Sequence, residues 1–214
     1  MSDRTAILVH GYNVTNPMST VGKLREPFEQ LGYAVETFTY GYVPHTWQIT
    51  KRNPSLAKKL AARVRYHRSL GRRVDVVGHS NGCTIMHLAA RELGAGMINT
   101  AVAINPALER DLHPCSAAAL VQVWHNEGDV AVKASRWLRL LSWLTPMDER
   151  LARPWGQMGA YGYRGDSKSV VNFDTQKDFA GVVASGHSAV FAKPESNFYL
   201  QRIAQFCAVG RLRP

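Results

Sequence analysis

Short apolar, β-branched runs alternate with helical patterns along this 214-residue chain, and that alternation constrains the fold more than any other feature. Strands are expected at Thr5–Val9, Tyr33–Tyr40, Arg73–Val77, Asn99–Ile104, Leu120–Trp124 and Ser169–Phe173. Helices are expected between them at Thr20–Leu31, Pro54–Leu70, Asn81–Leu93 and Lys133–Leu144, with a last one at Glu195–Ala208. Pro54 suits a first helical turn, and Gly32, Gly71 and Gly94 suit positions just past helix ends. Strands that are apolar throughout must be covered on both faces, and helices between them make the connections parallel crossovers. The expectation is one α/β domain over residues 1–214, with mainly parallel strands and helices on both faces of the sheet.

Two stretches break the alternation. Gly41–Asn53 carries Tyr42, Pro44, His45 and Trp47, and Trp143–Asp166 carries Met147, Trp155, Met158, Tyr161 and Tyr163. Long aromatic loops are often functional, so Trp47, Trp155 and Met158 are taken as substrate-contact candidates, and residues 143–166 as a small lid or insertion. The competing expectation is ordinary packing, with Trp137, Leu138, Leu141 and Trp143 seating a helix on the sheet.

Composition narrows the class. With 45% hydrophobic and 20% charged residues the chain carries enough apolar surface to fold, which excludes whole-chain disorder. The N-terminal apolar run is only Ala6–Val9, too short for a secretory signal, and no stretch reaches the roughly 18 apolar residues of a membrane span. Cys83, Cys115 and Cys207 form no CxxC pair, so neither a disulfide framework nor a metal site is expected. A cytoplasmic protein without cofactor or metal is the expectation, and release without a signal peptide fits the same sequence.

The net charge of +10 is local. Lys51–Arg73 holds nine basic residues and no acidic one, and the rest of the chain is nearly neutral. Lys58, Arg65 and Arg72 recur every seven residues, so an anionic surface or nucleic acid is a candidate partner of this segment.

Chemistry concentrates at Gly78-His79-Ser80-Asn81-Gly82, a G-x-S-x-G between an expected strand and an expected helix. A nucleophilic serine on a sharp turn needs small neighbours, and the helix that follows points its free N–H groups at a developing oxyanion. Gly186-His187-Ser188 repeats the tripeptide but lacks the second glycine, so it reads as a loop. Such a serine needs a base, and the base an orienting carboxylate. Of eight histidines, His187 alone follows the last expected strand and precedes the terminal helix. His10 and His79 sit inside glycine motifs, His87 on a helix, and His125 ends a strand too early in the chain. The acid is expected at Asp129, just past the Leu120–Trp124 strand, with Glu127 its near rival and Asp148, Asp166 and Asp174 taken as more remote.

With these motifs the chain resembles the α/β-hydrolase superfamily, in particular its small lipase- and esterase-like members. The order Ser80, Asp129, His187 matches that family's nucleophile–acid–base order. Leu8-Val9-His10-Gly11-Tyr12 looks like its His-Gly loop, and Asn105-Pro106-Ala107 like its turn after the next strand. The resemblance implies oxyanion donors at the N–H groups of Tyr12 and Asn81. It also implies an α/β-hydrolase fold of about six strands in the order 2-1-3-4-5-6, without the two strands that often precede the His-Gly strand and without a large cap domain. The activity so implied is cleavage of a short-to-medium acyl ester through an acyl-enzyme. Thioesterase, amidase and acyltransferase chemistry on the same fold stay open, as do a binding module and a non-catalytic relative.

Overall fold

A computed structural model describes residues 2–12, 14–43, 45–134, 156–178, 186–192 and 197–209. Six strands build one sheet: β1 (Arg4–Val9), β2 (Ala34–Phe38), β3 (Arg73–His79), β4 (Ile98–Ile104), β5 (Ala118–His125) and β6 (Val170–Asp174). Their order is β2-β1-β3-β4-β5-β6 and every pairing is parallel. The expected topology is therefore the observed one.

The central strands β1, β3, β4 and β5 are mostly buried along their length because they feed two cores at once, whereas the edge strands β2 and β6 are largely half-buried. In β1, Ile7 and Val9 face the cluster that includes Leu60, Val64, Ile85 and Met86, from helices α2 (Thr46–Ser69) and α3 (Asn81–Glu92). Ala6 and Leu8 face the opposite cluster, with Phe28 of α1 (Arg25–Gln30) and Tyr199, Leu200 and Ile203 of the C-terminal helix Asn197–Val209. Trp124 is fully buried on that second face, stacked on Phe173 with ring centroids 4.7 Å apart. Full burial of such side chains stabilises by about 1.5–3 kcal/mol each, so the two-faced core holds the sheet flat against its helices.

Two helices depart from expectation. The Thr20–Leu31 segment begins as 3₁₀ turns at Pro17–Ser19 and Val21–Leu24 and becomes α-helical only at Arg25. Pro27 then falls in the first turn, where a helix needs no N–H. Helix α2 starts at Thr46, eight residues before Pro54, so Pro54 lies inside it and much of the expected Gly41–Asn53 loop is helical. Ile49 and Asn53 are buried along that early part, and their packing offsets the roughly 3 kcal/mol an internal proline costs. The expected Lys133–Leu144 helix is described only at its start, since residues 135–155 lie outside the described residues. Beyond them, residues 156–166 include one short helix, α4 (Met158–Tyr161). They lie on the loop after β4, where Met158 N–H donates to Leu108 O and Gly159 N–H to Pro106 O, both at 2.9 Å.

The chain runs from β1 to one side and from β3 to the other. Such a reversal in strand order opens a crevice at the carboxyl ends of the two strands. The loop His10–Tyr12 and the turn at Ser80 both lie there.

Candidate active site

Ser80 sits between the last residue of β3 and the first of α3 with φ 53° and ψ −120°. A non-glycine residue avoids this conformation, which costs of order 1–3 kcal/mol and persists only where its surroundings enforce it. Here they do. Ser80 N–H donates to Ile104 O at 3.0 Å, and Ser80 O accepts from Cys83 N–H at 3.0 Å. The flanking glycines are steric requirements: a Cβ on Gly82 would lie 2.3 Å from Val9 O, and one on Gly78 would lie 2.9 Å from Cys83 N. Gly11 completes the crowding, because a Cβ there would come within 3.0 Å of Ser80 Cβ. The His-Gly loop thus runs directly beside the serine.

That loop is fixed from below by a buried polar network. The His10 ring stacks on Tyr40 at 4.0 Å, and its Nε2 accepts from Tyr40 N–H at 3.3 Å. Tyr40 Oη donates to Gly11 O at 2.7 Å, with His10 O 3.1 Å away. Asn81 and Asn53 exchange amide hydrogen bonds of 2.9 and 3.1 Å, tying the first residue of α3 to α2. Asn81 Nδ2 also lies 3.4 Å from Tyr40 Oη. With its side chain held there, Asn81 contributes to the crevice through the backbone that opens α3.

Asp129 follows β5 through a turn in which its N–H donates to Asn126 O at 2.9 Å. Its side chain is fully buried and meets three donors: His187 Nδ1 at 2.7 Å and Asn105 Nδ2 at 2.9 Å on Oδ2, and Val132 N–H at 2.9 Å on Oδ1. Burial alone pushes this carboxyl up, but the hydrogen bonds from His187, Val132 and Asn105 outweigh it and hold the pKa below the ordinary value. Nδ1 of His187 therefore carries the proton in that bond, which fixes the ring with Nε2 on the side away from Asp129. Ser80 Oγ makes no hydrogen bond among the described residues.

The rival candidates are placed elsewhere. Glu127 is exposed in the turn before Asp129. Asp174, expected to be remote from a strand end, is in fact the last residue of β6, but it caps its own turn by accepting from Gln176 and Lys177 N–H. His67 pairs with Glu36 at 2.9 Å, and His87 contacts His113 O at 2.9 Å. Among the substrate-contact candidates, Met158 is fully buried in the core on the α2/α3 side. Trp47 falls in the first turn of α2, and Trp155 lies outside the described residues.

No protein-family model and no curated protein matches the sequence. Solved structures do. An alpha/beta-superfamily protein from Xanthomonas campestris pv. campestris aligns over 96% of this chain and 99% of its own, with TM-score 0.54 and 17% identity. The esterase domain of a Rhodothermus marinus protein aligns over 97% and 87%, with TM-score 0.54 and 13% identity. A soluble variant of the Saccharomyces cerevisiae monoglyceride lipase, in complex with a substrate analog, aligns over 96% and 86% with TM-score 0.50 and 12% identity. The chain has the α/β-hydrolase fold.

Within that fold, three features of the site had no signal strong enough to single out from sequence. Asn105 holds a left-handed φ of 45° and brings its amide to Asp129, a backbone position that Asn tolerates better than most residues. Asn53, read as a loop residue, supports Asn81 from inside α2. His79 packs against His187, with ring centroids 5.0 Å apart.

Proposed function

We propose that the protein is a serine hydrolase that cleaves carboxylic esters of short-to-medium acyl length. The observation that carries the reading is the 2.7 Å bond between His187 and the buried Asp129, on the rim of the crevice where Ser80 occupies a strained turn. Ser80 is the nucleophile, His187 the base and Asp129 its orienting carboxylate. Ser80 Oγ attacks the ester carbonyl while His187 Nε2 takes its proton. The N–H groups of Tyr12 and Asn81 receive the oxyanion, the alcohol leaves with the proton returned by His187, and water then releases the acid by the same steps. An esterase domain and a monoglyceride lipase among the structures of the same fold support ester chemistry. The test is labelling with a fluorophosphonate probe: a single adduct on Ser80 is expected, and an adduct elsewhere, or none, overturns the reading.

A second reading concerns docking. A groove of about 670 Å³ runs between β2, an edge strand of the sheet, and α2; Arg52, Lys59, Arg63 and Tyr66 line it together with one carboxylate, Glu36, which Arg63 meets at 3.4 Å. The basic stripe that faces it differs from the expected one: Arg72 lies past the end of α2, and Arg65 donates to Glu92 O across on α3. We propose that the groove takes an anionic surface. Retention on heparin is expected to fall steeply with salt and to weaken in Lys59→Glu/Arg63→Glu, with ester turnover unchanged. Equal retention of the variant and the parent chain overturns it.

A further inference from the structure

We propose that His79 is a positioning residue for His187, and that the strand end carrying Ser80 thereby sets the place of the base as well as that of the nucleophile. The inference rests on the serine-hydrolase reading.

The base in such a site must be fixed at both ends, toward the serine and toward the carboxylate. Asp129 fixes one nitrogen of the His187 ring, and Ser80 Oγ makes no bond to the other. The backbone of the loop at residues 186–192 must supply the rest. That backbone has an anchor: His79 Nε2 lies 3.1 Å from His187 O, and since a carbonyl only accepts, the nitrogen carries the proton and donates it. His79 is the last residue of β3 and only 2% exposed, so the anchor stands on the rigid sheet. Phe191 from the same loop packs edge-on against the His79 ring at 5.1 Å. Lys23 Nζ donates to Phe191 O at 2.5 Å, a second tether on the loop's far side.

Packing alone does not account for an imidazole here. His79 Nδ1 is buried without a hydrogen-bond partner, where a Cβ on Gly11 would lie 3.1 Å away, and a buried orphan nitrogen is destabilising. A phenylalanine or leucine would fill the space without that cost. What the imidazole adds is the Nε2–H. Burial and the neighbouring His187 push the His79 pKa down to about 3, so the ring remains neutral. His187 then accepts a proton from Ser80 beside an uncharged neighbour, with no like charge opposing it.

The experiment compares the parent chain with His79→Phe, which keeps the ring and removes the donor, and His79→Gln, whose amide N–H reaches toward the same carbonyl. For His79→Phe, kcat on a short p-nitrophenyl ester is expected to fall about 10–100-fold with KM within twofold, since a base displaced by an ångström loses that much. The downfield proton resonance of His187 Nδ1–H is expected to shift or broaden. His79→Gln is expected to recover most of the lost kcat and a sharp resonance. Parent-like kcat and resonance in His79→Phe overturn the proposal, as does equal impairment of both variants with the resonance intact, which is the signature of packing alone. If His79→Phe does not fold, His79→Met removes the same donor in a flexible chain and gives the same reading. Should the parent chain neither turn over the ester nor label at Ser80, the hydrolase reading fails, while the Nδ1–H resonance still reports whether His79 holds His187.

Discussion

Replacing Ser80 with alanine is expected to lower kcat on a short p-nitrophenyl ester by about 10⁴–10⁶-fold, and His187→Ala by a similar factor. The double variant is expected to lose little more than either single one. Nucleophile and base act as one unit: without Nε2 to take its proton the hydroxyl is a poor nucleophile, and without the hydroxyl the base has nothing to activate. Whatever rate survives comes from the oxyanion donors and from binding, which neither substitution touches. Steady-state kinetics on the three variants, with thermal unfolding measured beside them, checks this. Ser80→Ala should fold well, because alanine relieves nothing and removes only Oγ, an atom with no hydrogen-bond partner among the described residues. Retention of turnover in that variant would sink the assignment of the nucleophile.

The second large effect is expected for Asp129→Asn, a loss of about 10³–10⁴-fold in kcat with KM little changed. The carboxylate is acceptor-only, and all three groups around it are donors: His187 Nδ1, Asn105 Nδ2 and Val132 N–H. An asparagine cannot satisfy all three. With its oxygen toward His187 its amide nitrogen faces Val132 N–H; turned over, it faces both Asn105 Nδ2 and His187. In the second case His187 must move its proton to Nε2, the nitrogen that has to receive the proton from Ser80. Asp129→Asn should also be less stable at neutral pH. A carboxyl whose folded pKa lies below its unfolded value contributes stability above the unfolded pKa and loses it as pH falls through the folded one. The deficit of Asp129→Asn in urea unfolding should therefore shrink below about pH 4. A constant deficit across that range, or parent-like kcat, would contradict the role given to Asp129.

Much of the site's frame was legible because it rests on local rules. Gly78 and Gly82 mark a turn whose crowding any side chain would violate, and the apolar run before them and amphipathic run after them place that turn between strand and helix. What was illegible depends on distance. The pairing of His187 with Asp129, 58 positions apart, was expected from their order along the chain, but the polar contacts around that pair were not. Asn105 on Asp129, Asn53 on Asn81 and His79 on the His187 carbonyl join residues from separate crossovers, and nothing in the neighbours of each residue announces them.

The charge shows the same division. The sequence alone concentrated nearly all the excess in Lys51–Arg73, and its alternation of apolar strands and helices called for a parallel sheet, while the strand order came from the resemblance to the α/β-hydrolase superfamily. Only the tertiary structure decided where α2 begins, which basic side chains face the β2 groove, and which bond to a carbonyl across on α3. Apolar periodicity is written in short windows of the chain, since burial of one face acts on every turn alike. A polar contact between distant residues is decided by how whole elements pack, and the same local sequence is compatible with many such packings.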